Sequence, residues 1–322
     1  MGAWMLSRVA DTIYWMNRYL ERVENISRFI EVHLNLILDL PLNYEQAWRP
    51  LLLSSVDNSL FVENLTEFTR ETVVPFMTFD PRNPNAILSC LWKARENARS
   101  VRERISTEMW HQINQLYLTV NEAKSRDVWS MEDLFLFLDK IKLDCYCIAG
   151  MAYHTLSRSE EWQVAKLGRH LERADQLTRI LTVKYDTLEQ QSQSTATTID
   201  LIQWGAVLRC MSGYEMFRRE YGILTPPKIA TFLLLDRTFP RSLHHNVMRL
   251  QEALHLLSGN PIGSFVLPGE KQIGKLKATL DYTDEQDVFE SGLHVYLDTK
   301  QDELFQIGEL FSQYFFGNTN AT

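Results

Sequence analysis

"VADTIYWMNRYLERVENISRFIEVHLNLI", residues Val9 to Ile37, decides the fold class. Val9, Met16, Tyr19, Leu20, Val23, Ile26, Ile30, Leu34 and Ile37 recur mostly at three- and four-residue steps, the period of a helix with one apolar face. At about 100° per residue, Arg18, Glu21, Arg22, Asn25 and Arg28 share roughly 120° of another face, with Glu24 at its edge.

The same period continues over 85–122, 131–157, 160–188 and 283–316, and none of these runs alternates in the two-residue manner of a half-buried strand. Breakers separate them: "DLPLN" (39–43), "FDPRNPN" (79–85), "GILTPPK" (222–228), "DRTFP" (236–240) and "SGNPIG" (258–263). The polar tract "EQQSQSTATT" (189–198) reads as a linker or loop. With 13 Gly and 10 Pro in 322 residues, the chain has too few turn formers for an all-β fold. The expectation is an all-α fold. A composition of 45% hydrophobic and 23% charged residues fits a soluble globular protein. A net charge of −8 disfavours a general nucleic-acid binder, which needs a basic surface. No uncharged run approaches the roughly 18 residues of a membrane span, and the N-terminus gains charge too early for a signal peptide, so a cytoplasmic location is expected.

The chain matches itself when shifted. At an offset of 150–151 residues "LSR" (6–8) meets "LSR" (156–158), and "RYLERVENISR" (18–28) meets "RHLERADQLTR" (169–179). At an offset of 156, Trp48 meets Trp204, Phe76 meets Phe232, Asp80 meets Asp236 and Pro84 meets Pro240. A drifting offset is what loop insertions produce. We therefore expect one domain over 1–322, a helical bundle of two similar multi-helix halves, about 1–150 and 151–322. Asp80 and Asp236 read as turn residues that accept backbone hydrogen bonds, with the prolines in the first turns of the helices that follow.

The second cassette supplies Arg169, Glu172, Arg173 and Arg179 in one stripe, with Asp175 at its edge. A third cluster, "RENARSVRER", carries Arg95, Glu96 and Arg99, followed by Arg102, Glu103 and Arg104. A solvated face would need charges but not the same charges at the same spacing, and Lys would serve as well as Arg. All three clusters use Arg, while Lys93 and Lys166 fall just outside. Two readings stand. The stripes are solvated and held by ion pairs of a few tenths of a kcal/mol, or they line pockets whose planar guanidinium forks bind carboxylate or phosphate.

"MLSRVADTIYWMNRYLERVENISR", "KARENARSVRERIS", "LGRHLERADQLTR" and "FLLLDRTFPRSL" together resemble the bacterial alpha-E family over almost the whole chain. The third cluster departs from the cassette spacing. The resemblance implies an all-helical domain of unknown function with characteristic glutamates, here Glu21, Glu24, Glu96 and Glu172. It also implies the company of a circularly permuted ATP-grasp protein, often with transglutaminase-like and proteasome-like proteins. That company suggests the making or modifying of a peptide or amino-acid amide.

No Gly-rich phosphate loop and no G-x-S-x-G elbow occurs, so no cofactor site is recognisable and ATP is expected only through a partner. The leading expectation is a helical accessory or substrate-binding subunit of an ATP-grasp-type ligase. Its ligand would be an amino acid, peptide or acyl phosphate, with self-association left open. A second reading is a di-metal carboxylate site, because Glu108/His111 and Glu252/His255 have Glu-x-x-His spacing. Glu21 and Glu172 would complete it, although the two pairs lie 144 residues apart and do not superpose under the 156 shift. A third is a purely structural interaction module anchored by Phe135, Phe137, Phe315 and Phe316. His154, His244 and His245 read as structural, and Cys145 and Cys147 as reduced core thiols.

Overall fold

The computed structural model describes residues 7–40, 44–55, 67–125, 130–189, 198–290 and 292–315. These residues are all-helical, with one isolated bridge between Ile262 and Ser264 and no strand. The chain divides into two compact units, Thr12–Trp162 and Met1–Asp11 with Gln163–Thr322. Most of the 189–198 tract, and Phe316, lie outside the described residues.

The first unit begins within α1 (Ser7–Asp39) and continues through α2 (Tyr44–Ser55), α3 (Arg70–Thr78), α4 (Ile87–Ser100), α5 (Thr107–Ala123) and α6 (Met131–Thr155). Helices α4 to α6 pack in sequence order, as short connections dictate. The side-chain oxygens of Ser106 and Ser130 accept from the backbone N–H of Met109 (3.2 Å) and Asp133 (3.0 Å), capping α5 and α6. The sequence reads 85–122 as one helical run. The structure breaks it at Val101, where a 3-10 turn (Arg102–Arg104) precedes the Ser106 cap. Val23, Ile26, Phe29 and Ile30 of α1 are fully buried, and so, nearly, are Glu24 and Asn25. Helix α1 is therefore covered nearly all round its middle turns, which an amphipathic surface helix is not.

The second unit contains most of α7 (Glu160–Glu189), then α8 (Thr198–Cys210), α9 (Tyr214–Tyr221), α10 (Pro226–Leu235), α11 (Leu243–Ser258), α12 (Pro268–Tyr282), α13 (Glu285–Glu290) and α14 (Leu293–Phe315). Its core includes an aromatic stack of Phe217, Phe232 and Phe239, with ring centroids 5.6 and 4.7 Å apart. Gly213 sits against it so closely that a Cβ would lie 3.0 Å from Phe239. Gly259, at φ +75°, ends α11 in the left-handed conformation that glycine tolerates best.

The two aspartate turns form similar hydrogen bonds. Asp80 Oδ1 accepts from the Arg82 N–H at 2.9 Å, and Asp236 Oδ1 accepts from Thr238 and Phe239 N–H at 2.7 and 2.6 Å. The prolines differ from expectation. Pro84 and Pro240 lie within the turns, and α4 and α11 start three residues later, at Ile87 and Leu243. Trp48, Trp204, Phe76 and Phe232 are all buried. Cys90, Cys145 and Cys210 are buried free thiols, whereas Cys147 is exposed, which corrects its reading as a core thiol.

Candidate anion-binding sites

In the first unit, the cassette of α1 separates into two parts. Toward its C-terminal end, Glu24 and Arg28 form an ion pair with side chains only 5% and 10% exposed. Tyr146 of α6 joins them. Its ring lies 5.9 Å from the Arg28 guanidinium, which donates to its hydroxyl, and that hydroxyl donates to Glu24 at 3.1 Å. One turn on, Lys142 of α6 pairs with Glu31. Buried charges cost heavily unless paired, so these bonds are what allows a charged stripe inside the unit. Burial, then the carboxylates of Glu24, Glu21 and Asp144, push the Cys145 thiol well above its ordinary range. That thiol is a poor nucleophile.

Toward its N-terminal end, the half-buried Arg18 and Arg22 lie among aromatic rings. Arg18 sits 5.1 Å from the Trp15 ring and 5.7 Å from Tyr14. Arg22 sits 6.0 Å from Tyr19 and donates to Asn85 Oδ1 at 2.6 Å, tying α1 to the Asp80 turn. Lys93 reaches the same Tyr19 ring at 5.3 Å and donates to the Pro84 carbonyl at 3.1 Å. Each cation–ring contact contributes about 0.5–1 kcal/mol where partly exposed. A lysine just outside the third cluster thus belongs to the cation group, and the sequence reading had set it aside.

The third cluster sits apart within the unit. Arg95 pairs with Glu96 at 2.9 Å, donates to Asn114 at 2.7 Å and lies over Tyr117 at 5.0 Å. Glu96 also takes Arg99, whose side chain is 65% exposed. Arg95 and Glu96 are thus half-buried and paired with each other, and only Arg99 of the three is exposed.

In the second unit, Glu172 is fully buried and accepts from Gln176 Nε2 at 3.3 Å. Arg173 donates to the Pro240 carbonyl at 3.4 Å, again joining a long helix to an aspartate turn. Between Arg169 and Arg173 lies His170, whose Nδ1 is 2.8 Å from Asn246 Oδ1. Asn246 Nδ2 is committed to the Ser242 and Pro240 carbonyls at 2.6 and 3.2 Å, so its oxygen faces His170 and Nδ1 carries the proton. Burial holds His170 well below the usual histidine range, aided by the charges of Arg173, Arg169 and Lys166 and opposed by Asn246. Lys166, just outside the cassette, therefore contributes to its field. Asp175 and Arg179 form a 3.0 Å pair whose arginine is half exposed, a surface ion pair and not a pocket wall.

The di-metal reading finds no geometry. Glu108 and His111 are exposed on α5, Glu252 is paired with Lys166 (3.1 Å) and Arg249 (3.0 Å), and His255 Nδ1 faces the Asn260 carbonyl at 3.1 Å. Among the described residues, no three His, Cys, Asp or Glu side chains gather as a metal would require. His244 is buried between the Leu235 carbonyl (3.2 Å) and Asp281 (3.0 Å), a structural role, and His154 is exposed. Tyr146, Asn85, Asn246 and His170 complete the sites without having been singled out. The signal for His170 was its place inside "RHLER"; Tyr146 offered none in the sequence, being 118 residues from Arg28.

A family model described as a predicted alpha-helical domain with a conserved ER motif matches residues 5–316. The chain belongs to the alpha-E family. Glu-Arg dipeptides occur in it at 21–22, 103–104 and 172–173, and the first and third lie in the cassettes of α1 and α7. The alpha-E chain is also similar to an uncharacterized protein of Mycobacterium bovis and to uncharacterized proteins of two Mycobacterium tuberculosis strains. Each is 23% identical over 279 residues, 80% of this chain and 31% of the relative. The chain therefore spans about a third of the length of the curated relatives it matches. No solved structure matches it. No helix among the described residues is long and apolar enough to cross a membrane.

Proposed function

We propose that the alpha-E chain is a helical accessory or substrate-binding subunit of a cytoplasmic ATP-grasp-type peptide or amide ligase, built from two copies of one helical unit. Its cassettes would hold a carboxylate, phosphate or acyl-phosphate group, and ATP would enter through the ligase. The observation that carries this reading is the gathering of cations beside each long helix. Arg22 and Lys93 meet at Tyr19, with Arg18 over the neighbouring Trp15 ring, and Lys166, Arg169 and Arg173 surround His170. Burial is the main cause of the depressed basicity of His170, and the charges of Arg173, Arg169 and Lys166 add to it, a positive field that an anion would neutralise. Guanidinium groups suit the task because they offer a planar fork to two anion oxygens at once. Glu24, Arg28 and Glu172 then act as buried framework.

The test mixes the chain with an ATP-grasp ligase, ATP and amino acids, and follows ADP release and product mass. Wild type should raise both, and Arg22→Lys and Arg173→Lys should each reduce the gain. ADP release and product unchanged by the presence of the chain would sink the proposal.

A further inference from the structure

A cleft in the unit Thr12–Trp162 shares only Lys93 with the cation groups described above. It is an open cavity of about 400 Å³ beside the Asp80 turn, between α4 and α5. Small-molecule sites occupy roughly 300–1,000 Å³. Phe79, Leu88, Trp92 and Tyr117 give it an apolar, largely aromatic wall. Trp92 leaves 52% of its surface in water, so its ring is open to a ligand in the cleft. The polar groups that line it include Lys93, Lys124 and Asn121, and no acidic side chain lines it among the described residues. Asp80, on the adjoining turn, pairs with Arg82 at 2.6 Å and also feels the charge of Lys124. Two lysines and no acid line the cavity, in a chain of net charge −8, beside an exposed tryptophan ring.

We propose that this cleft binds a small aromatic carboxylate, of the class formed by an N-acylated aromatic amino acid or an aromatic peptide C-terminus. The ring lies against Trp92 and Leu88, where stacking and apolar burial favour it. The carboxylate meets Lys124, Lys93 and the Asn121 amide, where charge-assisted hydrogen bonds set the choice of an anion. The cleft shares Lys93 with the cation group about Tyr19, and Leu88 and Lys124, which line the cleft and lie outside the cassettes, separate this inference from what Arg18 and Arg22 hold.

The full chain is titrated with N-acetyl-L-phenylalanine, which is transparent in the tryptophan band, while tryptophan emission is followed. The emission should change saturably, and Trp92→Phe should remove most of the change. N-acetyl-L-phenylalaninamide should bind about 10-fold or more weakly, since the charged hydrogen bonds are lost. Acetate, lacking the ring, should not bind. Leu88→Trp fills the cleft and Lys124→Glu reverses its charge; each should weaken the acid by about 10-fold or more. Circular dichroism checks that both variants fold, and Lys124 is exposed. Equal affinity for acid and amide would overturn the choice of an anion. Absence of binding, or binding indifferent to Leu88→Trp and Lys124→Glu, would overturn the cleft as the site.

Discussion

Glu24→Ala and Asp175→Ala remove corresponding letters of the two cassettes and should have very different consequences. Each acid pairs with an arginine four residues on, Glu24 with Arg28 and Asp175 with Arg179. In the first pair the side chains are 5% and 10% exposed; in the second they are 16% and 50% exposed. Truncating one partner of a buried pair strands a charge in a medium that solvates it poorly, typically at about 3–5 kcal/mol. The Tyr146 hydroxyl still accepts from Arg28, which puts Glu24→Ala near the low end, at about 3 kcal/mol. The exposed pair exchanges its partner for water, and Asp175→Ala should cost under about 1 kcal/mol. Alanine is the best helix former, so neither loss contains a propensity penalty. Removing both buried charges in Glu24→Leu/Arg28→Met should recover at least about 1 kcal/mol of the single-mutant loss, because no uncompensated ion remains. Urea unfolding followed by far-UV circular dichroism measures all three. Losses for Glu24→Ala and Asp175→Ala that agree within experimental error, or a double variant no better than the single, would refute the burial argument.

Three further outcomes are expected. His170 stays neutral in the fold while the unfolded chain takes its proton near pH 6.5. Its contribution to stability is complete above pH 6.5 and drains as pH falls toward its lower folded midpoint; an imidazole NMR titration of His170 at or above 6.5 would contradict this. Burial pushes Lys184 down from 10.5 to about 8, a shift equivalent to roughly 3 kcal/mol. Stability should therefore rise between pH 8 and 10.5, and Lys184→Met should raise the urea midpoint at pH 7 and flatten that rise. Gly213→Ala would drive a Cβ to 3.0 Å from Phe239 and 3.2 Å from Phe232, an overpacking that should lower stability by about 1–3 kcal/mol; an unchanged melting temperature would show that the stack yields freely.

Helical class was legible because long runs keep a three-to-four-residue apolar period that no turn disguises. The break at Val101 was not, because Leu91, Ala94 and Ala98 before it, and Met109, Ile113 and Leu116 after it, each keep that period. The interruption contains neither Gly nor Pro, only a capping serine. Within the sites, spacing placed Arg18, Glu21, Arg22 and Arg28 on one face correctly as geometry, yet it carried no information on what lies opposite. Charged letters read as a solvent face by default, and only tertiary packing reveals that Glu24 and Glu172 are buried. Lys93 and Lys166 were lost for the opposite reason. Adjacency in the chain does not define membership of a site: Lys93 arrives at Tyr19 from a different helix.

The repetition of Arg-x-x-Glu-Arg has a structural meaning prior to any ligand. In each unit the arginine of the Glu-Arg dipeptide crosses to the turn that launches another helix, Arg22 to Asn85 and Arg173 to the Pro240 carbonyl. Those turns are themselves knotted by Asp80 and Asp236. Such a brace fixes the register of a long helix against a turn more than 60 residues away in sequence, so the spacing between apolar stripe and arginine cannot drift. Lysine offers a point charge on a flexible stem, while the rigid guanidinium can hold the turn with one N–H and direct others elsewhere. The acid–arginine pair one turn later lacks that obligation: it is interior at Glu24–Arg28 and at the surface at Asp175–Arg179. The part of the cassette that is constrained in both units is therefore the brace. A ligand recognised by these helices would meet Arg22 and Arg173 already held in position by it.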